Sequence, residues 1–581
     1  MSSINSPDVR ALLEVPPRVV TPSPEDWRDV VVYFAMVDRF NDPLAPPRHL
    51  PFDAPYAGFQ GGTIAGMQAK LPYLRDLGVG AIWFTPVLFN GQKLNGGAND
   101  GTYHGYGIED FLRIDPRFAS NAADPEAELT AFVAAAHALG IYVVFDIVLN
   151  HTGDVFAYAG SGSTAPFSTA PRDVRWRDAD GNPTAFGDGA AMPAGGVATT
   201  FPDELRTNRF FRRQGSGGPV ETVGDFQSLK QLLTADAALG QVLIACYQWL
   251  IARFDVDGFR IDTLKYLDPA FALTFGNAMR EFALTIGKRN FFTFGEVYDD
   301  ERRIAQFIGR GSAADGDVVG VDAALDFPLF FVLPGVVKGF APPSALVDMY
   351  RTRKEIERGV VSSHGEASRY FVTFLDNHDQ HARFRYGDPA FDAQTTLGLA
   401  CLMTLPGIPA IYYGTEQGLS GSGNADLAVR EALWGAASAF DTTNRFYVTL
   451  RALAALRAAE PPLRYGRFYF RQLSGDGVGF GISRYPGGVL AFSRILNRRE
   501  VVVVANTSAT AAFAGQVIVD AALHPSPSQL QVRYSNLPAP PTVPVGTTGP
   551  AHIEEADGSI SPGPARVVSV SLAPMQVVVL G

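Results

Sequence analysis

Four short polar clusters in this chain carry residue types that could do chemistry, and each follows an apolar run. They are Asp146-Ile-Val-Leu-Asn150-His151, Arg260-Ile-Asp262, Gly295-Glu296 and Asp376-Asn377-His378-Asp379. Arg260 stands two residues before Asp262, so in a strand both side chains lie on one face of the pleat. A cation held there keeps the carboxylate ionised, as a nucleophilic Asp requires near neutral pH. A second carboxylate with a raised pKa could then protonate a leaving oxygen. Retaining glycosidases hold such a pair about 5–5.5 Å apart. Taken singly, each cluster also has a structural reading: Asn150-His151 as a turn cap, Glu296 as a helix N-terminal acid, Asn377-His378-Asp379 as an Asx turn. Gathered in one place, that many carboxylates repel one another unless a ligand or cation compensates them.

The elements that must gather them alternate along the chain. Apolar runs that read as buried strands cover residues 30–37, 80–86, 141–149, 258–262, 291–296, 370–376 and 410–413, with a weaker one at 323–327. Helical periodicity falls between them at 64–77, 126–139, 236–254, 269–286, 344–358, 392–405 and 444–459. Eight strands interspersed with seven helices at this spacing predict a closed parallel (β/α)8 barrel, whose strand ends open on one face. All four clusters sit at such ends.

Two stretches depart from the alternation. Residues 152–224 are rich in Gly, Ala, Ser, Pro and Thr and read as a small irregular domain grown from the loop after the third strand, with Trp176, Phe201, Phe210 and Phe211 as anchors. After Pro461-Pro462 the pattern becomes short alternating strands with turn signals, which predicts an antiparallel β-sandwich over 461–581. The expected division is therefore a surface extension at 1–27, a barrel at 28–151 and 225–460, the inserted domain, and the sandwich.

Composition narrows the ligand. The 581 residues are 46% hydrophobic and 18% charged, with a net charge of −11, which gives no basic footprint for nucleic acid and disfavours polyphosphates. No apolar run of membrane-spanning length is apparent, so no membrane partner is expected. The two cysteines, Cys246 and Cys401, lie in apolar surroundings and read as buried free thiols. The opening residues, Met1 to Asp8, lack the charged-then-apolar order of a signal peptide, and the expectation is a cytoplasmic protein.

The clusters, in order, resemble the four signature regions of the α-amylase family of glycoside hydrolases: Phe145-Asp-Ile-Val-Leu-Asn-His151, Gly258-Phe-Arg-Ile-Asp-Thr-Leu-Lys-Tyr266, Phe294-Gly-Glu-Val297 and Phe374-Leu-Asp-Asn-His-Asp379. Residues 80–86 and 407–416 resemble that family's second and eighth strands. The resemblance implies Asp262 as nucleophile, Glu296 as general acid/base and Asp379 as the third acid, gripping ring hydroxyls. It implies that Arg260 orients the nucleophile, that His151 and His378 hydrogen-bond the sugar, and that Tyr106 is the aromatic platform beneath it. Lys265 matches a lysine on the leaving-group side and points to α-1,4-glucan or maltooligosaccharide substrates. Calcium is implied between barrel and inserted domain, with Asn150 and Asp225 as ligands, oxygen donors suited to a hard cation. Departures are Gly107 after Tyr103-His-Gly-Tyr106, where many members have tryptophan, and Tyr266 in place of a frequent histidine.

Four readings stand at this point. Hydrolysis and glucanotransfer share every one of these residues. Transition-metal catalysis is disfavoured, because no His-x-His or His-x-x-x-His spacing occurs and Arg260 would sit among the ligands. A non-catalytic sugar-binding protein on this scaffold is disfavoured because all three acids are present.

Overall fold

A computed structural model describes residues 3–14, 19–164, 167–193, 200–215, 224–308, 320–356, 367–525 and 528–581. Eight parallel strands close on themselves: β1 (Val32–Ala35), β2 (Ala81–Phe84), β3 (Tyr142–Val148), β4 (Gly258–Asp262), β5 (Phe292–Gly295), β6 (Ala323–Leu325), β7 (Phe371–Thr373) and β8 (Ile408–Tyr412). Each pairs with its sequence neighbour, and β8 returns to β1 through Val32 opposite Ala410. Seven of the eight strands are buried along their whole length, because helices cover the outside while side chains fill the inside. In β3 only Tyr142, at its start, is half-buried.

The helices begin where short acids can cap them. Asp124, Asp236, Asp268 and Asp326 each accept a backbone N–H from the first turn of the helix that follows. The periodicity at 64–77 resolves into two helices, Ile64–Ala69 and Leu71–Leu77, because Pro72 has no N–H to carry one ladder across. Helix Phe327–Val337, apolar on all sides with Pro334 inside it, is a further element that no periodicity announced. β7 ends at Thr373 rather than Asp376, and the helix from Ser344 is described to Ile356; the predicted end at Arg358 lies outside the described residues. Helix Ala237–Phe254 is, among the described residues, long and apolar enough to cross a membrane by length and composition, contrary to the sequence expectation, but here it is a barrel helix with 61% of that window buried in the protein. The amino-terminal segment is more than surface: helix Pro7–Leu13 packs on Ala237–Phe254 and buries Val9 completely.

Beyond β3, Phe156–Tyr158 pairs with Val174–Trp176, and Phe156, Trp176 and Phe211 form an aromatic knot with ring centroids 5.4–5.7 Å apart. The chain returns to the barrel through Lys230–Gln231, which pairs antiparallel with His151–Thr152.

The carboxyl-terminal strands form one antiparallel hydrogen-bonded sheet of nine that doubles over, plus a small three-stranded sheet. The doubling occurs at strand Ser528–Ser535, which pairs with Thr542–Thr547 at one end and Val577–Leu580 at the other. Its two halves enclose a valine-rich core that includes Val502, Val504, Val545 and Val568. In strand Arg499–Asn506 the alternate residues Val501, Val503 and Ala505 belong instead to the barrel's own core. That strand is therefore buried on both faces, which explains its unbroken apolar run.

Gly258 opens β4 because nothing larger fits: a Cβ there would lie 2.5 Å from the Phe292 carbonyl oxygen of β5. Gly258→Ala is expected to cost about 1–3 kcal/mol through forced separation of the two strands. Thermal unfolding should show this as a lowered Tm; an unchanged Tm would show that β4 and β5 can part without penalty.

Candidate active site

β3 and β4 set the centre of the site by register. Arg260 is the cross-strand partner of Asp146, and Asp262 that of Val148, so Arg260 and Asp146 meet side by side inside the barrel. Arg260 is 1% exposed, and such a charge must be paired to remain buried. Its Nη1 donates to both Asp146 oxygens, at 2.9 and 3.0 Å, and to Asp262 Oδ1 at 2.9 Å. Its Nη2 donates to Glu296 Oε2 at 2.8 Å. Asp262 and Glu296, from neighbouring strand ends, are thus bound to the two terminal nitrogens of one guanidinium.

The backbone after Asp262 reinforces this arrangement. Thr263 takes a left-handed conformation, φ 50°, unusual for a β-branched residue, and its N–H donates to Glu296 Oε2 at 3.1 Å. Gly295 is required beside it, because a Cβ there would meet Leu264 Cδ2 at 2.0 Å.

A second layer surrounds Asp146. Its Oδ2 accepts from Trp83 Nε1 at 3.0 Å and from the Tyr106 hydroxyl at 2.9 Å. That hydroxyl also lies 2.8 Å from His378 Nε2, and the two rings stack at 5.5 Å. His151 Nδ1 lies 3.5 Å from Asn150 Nδ2. His151 Nε2 and His378 Nδ1 are buried without a partner among the described residues, polar atoms available to a ligand.

Asp379, with 40% of its side chain exposed, is the most accessible acid. Arg430 holds it through Nη2 at 3.0 Å, while its Nε donates to the His378 carbonyl at 2.9 Å and its Nη1 to the Tyr103 hydroxyl at 2.8 Å. Arg430, Trp83 and Tyr103 were not singled out from sequence. Trp83 lies in a recognisable strand, whereas nothing around Arg430 marks it. Lys265 is tied to the segment after Glu296, donating to the Tyr298 carbonyl at 3.0 Å and pairing with Asp299 at 3.6 Å.

The electrostatics modify one expectation. Burial raises the Asp262 carboxyl well above its ordinary range; Arg260 pulls it back, while Glu296, Asp146 and Asp379 push it up again. Arg260 does not keep Asp262 ionised unaided, because its one charge is divided among three acids. Burial likewise lifts Asp146 to about 6 against the pull of Arg260. Burial lowers His151 to about 4 and His378 well below the usual range, so both are neutral near pH 7. Four carboxylates meeting two guanidiniums favour retention of a proton within the group, which acid catalysis needs.

Asn150 and Asp225 are both fully buried where the chain re-enters the barrel. Their surroundings do not fit a divalent cation. The Lys230 ammonium, itself fully buried, lies 3.7 Å from Asp225 Oδ2 and 3.1 Å from Asp154 Oδ1. Asp225 Oδ2 also accepts from the Tyr158 hydroxyl at 2.5 Å, its Oδ1 from the Gln231 N–H at 3.0 Å, and Asn150 Oδ1 from Gln231 Nε2 at 3.5 Å. Among the described residues no three His, Cys, Asp or Glu side chains converge as a metal-binding group. Val223, two residues before Asp225, lies outside the described residues. Cys246 and Cys401 are free and buried, with Cys401 pushed up to about 12 by burial.

Comparison with known proteins covers most of the chain. Residues 34–451 match the model for the alpha amylase catalytic domain. An alpha-amylase of Streptomyces lividans is 29% identical over 508 residues, 78% of this chain and 52% of that protein. A cyclomaltodextrin glucanotransferase of Klebsiella oxytoca is 27% identical over 485 residues, 76% of this chain and 67% of that one. The chain thus spans about half the length of the Streptomyces relative. Among solved structures, the three-domain cyclomaltodextrin glucanotransferase CldA aligns with a TM-score of 0.68 at 22% identity, covering 96% of this chain and 99% of that one. The alpha-amylase of Geobacillus thermoleovorans, solved with acarbose, aligns at 0.63 and 23% identity with the same coverage. At these identities the structural likeness establishes the fold.

Because Asp146 raises the Asp262 pKa, Asp146→Asn should move the acid limb of the kcat/KM profile to lower pH even as it lowers the maximum. The sign follows from linkage: an acid with one fewer anionic neighbour ionises more readily. A pH–rate profile checks it, and a limb displaced upward would contradict the charge assignment.

Proposed function

Because the chain belongs to the alpha-amylase family of glycoside hydrolases, we propose that it cleaves α-1,4-glucosidic bonds of starch-type glucans or maltooligosaccharides with retention of configuration. The observation that carries this reading is the bridging of Asp262 and Glu296 by one buried guanidinium at the mouth of a closed barrel. Two carboxylates on adjacent strand ends, so joined, suit attack and protonation at the two sides of one acetal.

In the first step an Asp262 oxygen attacks the anomeric carbon, the bond to the leaving oxygen breaks, and Glu296 delivers its proton to that oxygen. A covalent glycosyl-Asp262 ester remains. In the second step the Glu296 carboxylate takes a proton from water, the water oxygen bonds to the same carbon, and Asp262 departs as carboxylate. Arg260 donates to both acids in each step. Its hydrogen bonds compensate the charge that passes between them.

Asp379 is assigned the ring hydroxyls, a role its exposure and its tether to Arg430 support. His151 and His378, both neutral, are assigned hydrogen bonds to the same sugar, and Tyr106 is assigned the platform beside them. Lys265 is assigned the leaving-group side, since it lies against the segment that follows Glu296. We divide the chain as its pattern suggests, into the barrel, the excursion after β3 and the carboxyl-terminal sandwich. Enzymes of this family commonly bind calcium; the steps above run on carboxylates and guanidinium.

Glucanotransfer is the second reading. It is favoured by the cyclomaltodextrin glucanotransferases among both the sequence relatives and the structural neighbours. There a sugar hydroxyl takes the place of water in the second step.

Asp262→Asn should lower kcat by at least about 10⁴-fold, on the scale seen when a catalytic group is removed, with Tm preserved. Substantial residual turnover of maltooligosaccharides would sink the assignment. A product profile across starch, maltooligosaccharides, cyclodextrins and pullulan separates the two acceptors: shorter products alone mean hydrolysis, longer or cyclic ones mean transfer.

A further inference from the structure

The junction between the barrel and the excursion after β3 contains a fully buried lysine that the catalytic reading does not use. Strand pairing places it there: Lys230 lies opposite Thr152, and Gln231 opposite His151, so the side chain enters directly beneath the excursion. Three oxygens surround its Nζ: it donates to the Ser163 carbonyl and forms ion pairs with Asp154 Oδ1 at 3.1 Å and Asp225 Oδ2 at 3.7 Å. The rings of Phe156 and Tyr158 stand 5.2 and 4.9 Å from it and add cation–π contacts. Arg177 supplies a second cation, its Nη2 donating to Asp154 Oδ2 at 2.9 Å.

We propose that the Lys230 ammonium is the resident cation of this junction, holding the excursion to the barrel in the place where a calcium ion would act, and that this attachment does not depend on calcium. Charge supports the proposal. Asp154 and Asp225 face Lys230 and Arg177, so the buried charges already balance. A divalent ion added to them would meet two like charges at close range, in surroundings that screen poorly. Geometry supports it too. Calcium needs six to eight oxygens at about 2.3–2.6 Å. Here both Asp225 oxygens already accept from Tyr158 and Gln231, and Asn150 Oδ1 is engaged by Gln231 Nε2. The ammonium pairs with both acids through one charge and donates to the Ser163 carbonyl, and it cannot be removed by a chelator.

The test uses the full chain after exhaustive treatment with EDTA. Calcium chloride is titrated into it by isothermal calorimetry, and Tm is measured with EDTA and with millimolar calcium, for the native protein and for Asp225→Asn. The expected result is no calcium binding, and no Tm shift, that depends on Asp225. A calcium effect of equal size in both proteins places that ion elsewhere and leaves Lys230 as the cation here. Calcium binding or a Tm rise in the native protein that Asp225→Asn abolishes would overturn the proposal. In a second arm, Lys230→Ala is expected to lower Tm by several degrees, with part of the loss restored by calcium. A native Tm for Lys230→Ala would also overturn it. If that variant fails to fold, the arm with the native protein decides by itself. None of these readouts depends on the reaction assigned above.

Discussion

The site depends on burying one guanidinium. A charge as enclosed as Arg260 would be strongly unfavourable alone, and the barrel compensates it with carboxylates from three strand ends. The same compensation produces the reactivity. Burial first, and for Asp262 also the repulsion of neighbouring acids, raises the Asp146 and Asp262 carboxyls against the pull of the one cation. Asp146, fixed by Trp83 and Tyr106, is the structural member of the group; Asp262 and Glu296, nearer the opening, are left to react. The barrel thus gains its interior order and its chemistry from a single set of contacts.

Much of this was legible because the strands of a parallel barrel are buried on both sides and announce themselves as apolar runs. The positions of Asp262 and Glu296 followed directly, since β4 and β5 end at or beside them. The Asp376–Asp379 cluster was less exact: β7 stops at Thr373, and the polar residues ride on the loop beyond it. Arg430 was invisible because it reaches Asp379 and His378 from a region with no periodicity, and tertiary contact alone gives it a role. Lys230 was missed for a related reason. A lysine in an irregular segment reads as solvated surface, and only the pairing of Lys230–Gln231 with His151–Thr152 turns it inward. Helix Phe327–Val337 lacked a polar face to set a period, so nothing announced it beyond Phe327, where the sixth strand was expected to end.

The two ends of the barrel show how the same residue types serve different ends. At the amino-terminal end, Asp257 precedes β4, is fully buried, and accepts from Lys288 at 2.6 Å and from the Val143 N–H at 2.8 Å, with His137 at 2.7 Å. Every contact there joins one element to another, and the cluster acts as a clasp. At the opposite end, His151 Nε2 and His378 Nδ1 are left unsatisfied among the described residues, and Asp379 projects outward. What distinguishes the functional cluster is its spare hydrogen-bonding capacity, since both ends are charged.

Strand Arg499–Asn506 faces the sandwich core with one set of side chains and the barrel core with the other. It is a party wall, belonging equally to both rooms. Shortening the chain from its carboxyl terminus would strip a valine-lined face from the catalytic unit and leave it exposed to association with other chains. The two parts should therefore melt as one, and the carboxyl-terminal region is better regarded as part of the barrel's foundation than as an appendage that evolution or an engineer could exchange at will.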